Sequence, residues 1–84
     1  MVKWHDFEPE FDWDELIEEK LAHHGVSYDE AIACFTNPFL VRRNKHYPDR
    51  YQLIGHTDAG RALILIFQLK PGNRIRIITG WDRR

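Results

Sequence analysis

The stretch Arg61 to Trp81, RALILIFQLKPGNRIRIITGW, restricts the possible folds of this chain more than any other. Two apolar runs flank Pro71-Gly72-Asn73, a cluster of turn-forming residues. The first run, Ala62 to Leu69, is almost continuously apolar. The second, Arg74 to Thr79, alternates, with Arg74 and Arg76 on one side and Ile75 and Ile77 on the other. The spacing predicts a β-hairpin with one face in the core. The two arginines then stand about 6.6 Å apart on the opposite face.

The chain has 84 residues, which sets one domain, 1–84. Its single cysteine, Cys34, excludes an internal disulfide and supplies no cysteine metal cluster, and an intracellular location is expected. No apolar run approaches the ~18 residues of a membrane span, and no basic segment precedes a long apolar one, so neither a span nor a signal peptide is expected.

Charge is divided along the chain. Residues 1–38 hold two bases against ten acids, a net of −8, and residues 39–84 hold ten bases against three acids, a net of +7. Two readings follow. The basic half presents a surface to a polyanion, or the two halves attract each other and nothing else binds.

Local signals order the elements. Trp4, Phe7, Phe11 and Trp13 crowd the first thirteen residues among acids, a density that argues for packing, in part as a short edge strand. Asp12 or Asp14 offers a helix cap. Leu16, Ile17, Leu21 and His24 then recur at helical spacing over Asp14 to His24, with Gly25 as the stop. Ser27-Tyr28-Asp29-Glu30 is a capping box for a second helix, which Asn37-Pro38 ends. Strands are expected from Phe39, from Arg50 to His56, and in the hairpin, with turns at Pro48-Asp49 and Thr57 to Gly60. The fold class is α+β, with two N-terminal helices on one face of a mostly antiparallel sheet.

Phe11-Asp12-Trp13-Asp14, His24-Gly25-Val26-Ser27-Tyr28-Asp29-Glu30-Ala31, Phe35 and Asn37-Pro38 resemble the signature of the BrnT family of toxins. Arg50-Tyr51, Gly55, Gly60-Arg61 and the strand Arg74 to Thr79 are similar to its later landmarks, so the resemblance runs from Phe11 to Thr79. The chain departs from the family pattern at Ile17, Leu21 and His23, and after Thr79, where Gly80-Trp81-Asp82-Arg83-Arg84 replaces a further arginine pair and a basic helix. The resemblance implies a RelE-like ribonuclease toxin that blocks translation in the cytoplasm, acting on mRNA free or on the ribosome. Its implied partner is a small DNA-binding antitoxin, with which it forms a hetero-oligomer.

Metal-free RNA cleavage needs a group that takes the 2′-hydroxyl proton, cations that stabilise the phosphorane, and an acid for the leaving 5′-oxygen. Arginine suits the second task because it stays charged and grips phosphate oxygens in pairs. The candidate catalytic set is His24, Arg50, Arg74 and Arg76, with no metal or cofactor. Arg42, Arg43, Arg61, Arg83, Arg84 and Trp81 are candidate RNA contacts. Each has a plainer reading: His24 as a helix-end cap, the arginines as a solvated or acid-paired face, Trp81 as a cover for the core. His23, His46, His56 and His5 read as surface or strand-end residues, and Cys34 as a small filler. A non-catalytic binding module, or a subunit acting only in the antitoxin complex, remains the alternative function.

Overall fold

The computed structural model describes residues 8–83; the expectations placed on Trp4, His5, Phe7 and Arg84 lie outside the described residues. The elements are β1 (Glu10–Phe11), α1 (Glu15–Ala22), α2 (Tyr28–Ala33), β2 (Leu40–Arg43), β3 (Arg50–His56), β4 (Ala62–Lys70) and β5 (Arg74–Asp82). The expected α+β order is present. The sheet runs β1-β5-β4-β3-β2. Strands β2 to β5 form an antiparallel meander, and β1 lies parallel beside β5, with Glu10 opposite Arg74 and Phe11 opposite Ile75.

Local chemistry sets the helix ends. Asp14 accepts the Ile17 backbone N–H at 2.9 Å and so starts α1. Ser27 Oγ accepts from the Glu30 N–H and Glu30 Oε1 accepts from the Ser27 N–H, each at 3.1 Å, completing the capping box of α2. Past α2, the Asn37 side-chain amide donates to Ala33 O at 3.2 Å and to His56 O at 3.0 Å, tying the helix exit to the end of β3.

Ile17 and Leu21 of α1, Val26, Ala31 and Cys34 join Leu53, Leu63, Leu65, Phe67, Ile75 and Ile77 in one buried cluster. Gly80 sits in the same layer, where a side chain would force its neighbours to shift. A Cβ there would lie 2.5 Å from Leu65 Cδ2 and 3.2 Å from Leu21 Cδ2. Two large residues depart from the expected packing. Leu16 is 51% exposed, because the eight-residue α1 turns only Ile17 and Leu21, four apart, inward. Trp13 is 56% exposed. Phe11 packs inward on Phe35 at 5.1 Å, and the chain then leaves the sheet at Asp12, whose carbonyl accepts from Tyr28 Oη at 2.9 Å. Trp13 is left outside that bend.

The hairpin forms where the alternation placed it, with Gly72 and Asn73 at φ 78° and 60° in the turn. It is longer than expected, since β5 continues past Thr79 to Asp82. A bulge makes this consequential. Ile77 opposes Phe67 and Thr79 opposes Ile66, so Ile78 is the extra residue. The side-chain alternation is reset there. By simple parity Trp81 would share the buried side of Ile75 and Ile77; after the bulge it shares the side of Arg76, opposite Ile64. Trp81, a candidate RNA contact with a plainer reading as a core cover, is therefore on the open face. Among the described residues, no helix is long and apolar enough to cross a membrane.

Candidate functional site

The open face of the sheet is ordered in rows across the strands. Leu40, Ile54, Ile64 and Trp81 are successive partners on β2, β3, β4 and β5. Arg42, Gln52, Ile66 and Thr79 form the next row, and Arg50, Gln68 and Arg76 the one after it. Lys70 and Arg74 close the series at the hairpin turn. The face thus grades from apolar at the Trp81 end to cationic at the hairpin end.

Two cations on this face have no carboxylate partner among the described residues: Arg42, which is exposed, and Arg50. They are diagonal neighbours across β2 and β3, roughly 7–8 Å apart. The Arg50 guanidinium lies 4.4 Å from the centre of the Tyr47 ring, which steadies it. Arg74 and Arg76 are differently placed. Arg74 donates to Asp12 Oδ1 at 2.6 Å, and Lys70 Nζ holds Asp12 Oδ2 at 2.8 Å. Arg76 donates to Asp14 Oδ2 at 2.7 Å. The parallel seat of β1 beside β5 brings both aspartates within reach. An RNA phosphate at either arginine would share the guanidinium with a carboxylate, and the acid-paired reading of these two residues is the one observed.

Arg61 is also committed. Its Nε and Nη2 hold the two Asp82 oxygens at 2.6 and 2.9 Å, and its Nη1 donates to Glu30 Oε2 at 3.0 Å and to Gly25 O at 2.9 Å. Arg43 lies on the other side of β2, opposite Tyr51, and its Nε donates to Pro48 O at 3.1 Å. Arg83 follows β5, its side chain exposed and its backbone N–H on Ala62 O at 3.0 Å.

His24 does not meet the arginines. It lies at the Trp81 end of the face, its ring centre 6.1 Å from that of Trp81 at an angle of 58°. His23, His24, Ile64, Trp81 and Asp82 line an open cleft of about 700 Å³. His23 was expected to be an ordinary surface residue. The turn that ends α1 carries both histidines to the end of β5, which the reset alternation makes part of the open face. His56 closes β3, and His46 lies in the exposed loop after β2. Among the described residues, no three of His, Cys, Asp and Glu are grouped as metal ligands.

Residues 13–80 match the family described as ribonuclease toxin, BrnT, of type II toxin–antitoxin system. The chain belongs to the BrnT family. No curated protein matches it. The BrnT match contains the capping box, Arg42, Arg50 and both histidines, whereas Trp81 and Asp82 of the cleft follow its last residue.

The electrostatics of this BrnT chain tie its acidic first half to its basic second half. Hydrogen bonds from Lys70 and then Arg74 hold the Asp12 carboxyl below its ordinary range. The Ile17 N–H and then Arg76 do the same for Asp14, and the Ser27 N–H and then Arg61 for Glu30. Asp82 and Glu30 in turn make the Arg61 proton harder to remove. Burial pushes the Cys34 thiol up to about 11, which keeps it unreactive at neutral pH. The carboxyls give a signed expectation. Each binds a proton more weakly folded than unfolded, so their stabilisation is complete above about pH 4.5 and is lost as pH falls through the lowered folded values. The thermal midpoint should therefore fall steeply below about pH 4.5, and D12N/D14N should flatten that fall. A midpoint independent of pH from about 5 to 2.5 contradicts these pairings.

Proposed function

We propose that this chain is a metal-independent endoribonuclease of RelE-like type, which cleaves mRNA, inhibits translation and is neutralised by a small DNA-binding antitoxin. The observation that carries the reading is the pair of histidines in one cleft, continuous with a face bearing two carboxylate-free arginines. Arg42 and Arg50 hold the backbone of a single strand. At the cleft, one imidazole takes the proton from the 2′-hydroxyl as that oxygen attacks the adjacent phosphorus. The other gives a proton to the departing 5′-oxygen. The products are a 2′,3′-cyclic phosphate and a 5′-hydroxyl. Membership of a toxin family supports the antitoxin and the cytoplasmic target.

The phosphate contacts are tested by salt dependence. Each contact to a single strand contributes a slope of about −0.7 in log K against log salt, so R42A/R50A should flatten the slope by about 1.4. An unchanged slope removes these arginines from the interface. Expression of the chain should arrest growth and leave cut transcripts. The ion pairs of Arg74 and Arg76 favour a second reading, a binding module without catalysis. Salt-dependent RNA binding with intact transcripts would select it.

A further inference from the structure

We propose that the cleft lined by Trp81, Ile64 and His24 is a base-reading subsite that takes one unpaired RNA base stacked on the indole, with Arg61 as the positioning residue that holds imidazole and indole together. The proposal deepens the reading above and rests on its claim that the open face binds single-stranded RNA.

The walls have the chemistry of a base site. The Trp81 indole is a half-buried flat platform at the end of the apolar row, Ile64 is an aliphatic floor, and the His24 imidazole leans against the indole at 6.1 Å and 58°, leaving the cleft open beside the pair. A planar base with polar edges suits such a space, and every base has a face that can stack on an indole. Placement agrees. Trp81 lies on the side of Arg76 and only four or five strand positions further on, about 13–17 Å. A backbone held by the arginine rows can therefore deliver a base to Trp81. Cationic tracks beside aromatic platforms are the general means of holding single strands.

Arg61 joins the two walls. It binds the carbonyl of Gly25, the residue after His24, and both oxygens of Asp82, the residue after Trp81. Glu30, fixed by the capping box, anchors the same guanidinium. One planar fork thus sets the separation of imidazole and indole, and a lysine cannot make these contacts together. Because Trp81 and Asp82 follow the matched residues 13–80, base preference at this subsite depends on residues beyond the family match.

The test uses the full chain labelled at isoleucine δ1 methyls and observed by NMR during titration with the four homohexaribonucleotides and an abasic ribose-phosphate hexamer. The Ile64 methyl should shift with the base-bearing hexamers, by amounts that differ among bases, and stay in place with the abasic one. Trp81→Ala should weaken base-bearing hexamers about 5- to 150-fold, the loss of one stacked base, and Trp81→Phe much less. Arg61→Lys should weaken the base-bearing hexamers while leaving the abasic affinity unchanged, a split that general loosening of the fold does not produce. Hexamers that bind without moving Ile64, or no tighter than the abasic hexamer, overturn the subsite while leaving the RNA-binding face standing. Absence of all hexamer binding overturns both. Binding at Ile64 without cleavage sustains the subsite and removes only catalysis.

Discussion

Replacing His24 by alanine is expected to slow RNA cleavage about 10²–10⁴-fold, the usual contribution of a positioned acid or base. The fold should survive the change. The His24 side chain is exposed, and its backbone N–H donates to Leu21 O at 3.0 Å whatever the side chain. Affinity for RNA should fall far less than rate, since the backbone contacts lie on Arg42 and Arg50. Added imidazole should restore part of the lost rate, which a purely structural capping role would not allow. Single-turnover cleavage of a short single-stranded RNA measures this directly. A rate within about threefold of the parent assigns the proton transfers elsewhere.

The largest stability effect is expected from Phe67→Ala. Phe67 is the largest fully buried side chain among the described residues. Its ring meets Phe35 edge-on at 5.3 Å and stacks on Tyr51 at 5.5 Å, so truncation opens a cavity between both helices' core residues and the sheet. Such changes cost about 3–5 kcal/mol. A chain of this size has roughly 4–13 kcal/mol in total. At about 4–8 °C per kcal/mol, the thermal midpoint should drop by roughly 12–40 °C. Phe67→Leu, which keeps most of the volume, should cost much less. Calorimetry on the three proteins checks the order. Equal midpoints for parent and F67A would mean that the core is not organised around this ring.

What the sequence revealed, and what it hid, follows from the range of the interactions. The capping box at Ser27 and Glu30, the stop at Gly25 and the turn at Gly72-Asn73 are set by residues within four positions of one another, and all are present. The alternation of Arg74 to Ile77 was legible for the same reason. The parallel seat of β1 was not, because pairing between residues more than sixty positions apart leaves no local periodicity. With it went the pairing of Arg74 to Asp12 and of Arg76 to Asp14. The −8 and +7 halves had offered that possibility, though without naming partners. The bulge at Ile78 was equally hidden. It moves Trp81 to the open face, and so brings the indole to His24. Arg61 shows the converse case: a candidate RNA contact from its place near the turn before a buried strand, it clamps Gly25, Glu30 and Asp82.

In the proposed mechanism two histidines and no metal cleave the RNA strand by attack of its own 2′-hydroxyl. Incubating the purified chain with single-stranded RNA in excess chelator and analysing the new ends by mass spectrometry tests it most directly. One fragment should carry a 2′,3′-cyclic phosphate or 3′-phosphate and the other a 5′-hydroxyl, with cleavage unaffected by the chelator. Fragments ending in 3′-hydroxyl and 5′-phosphate, or RNA left intact, would contradict that mechanism.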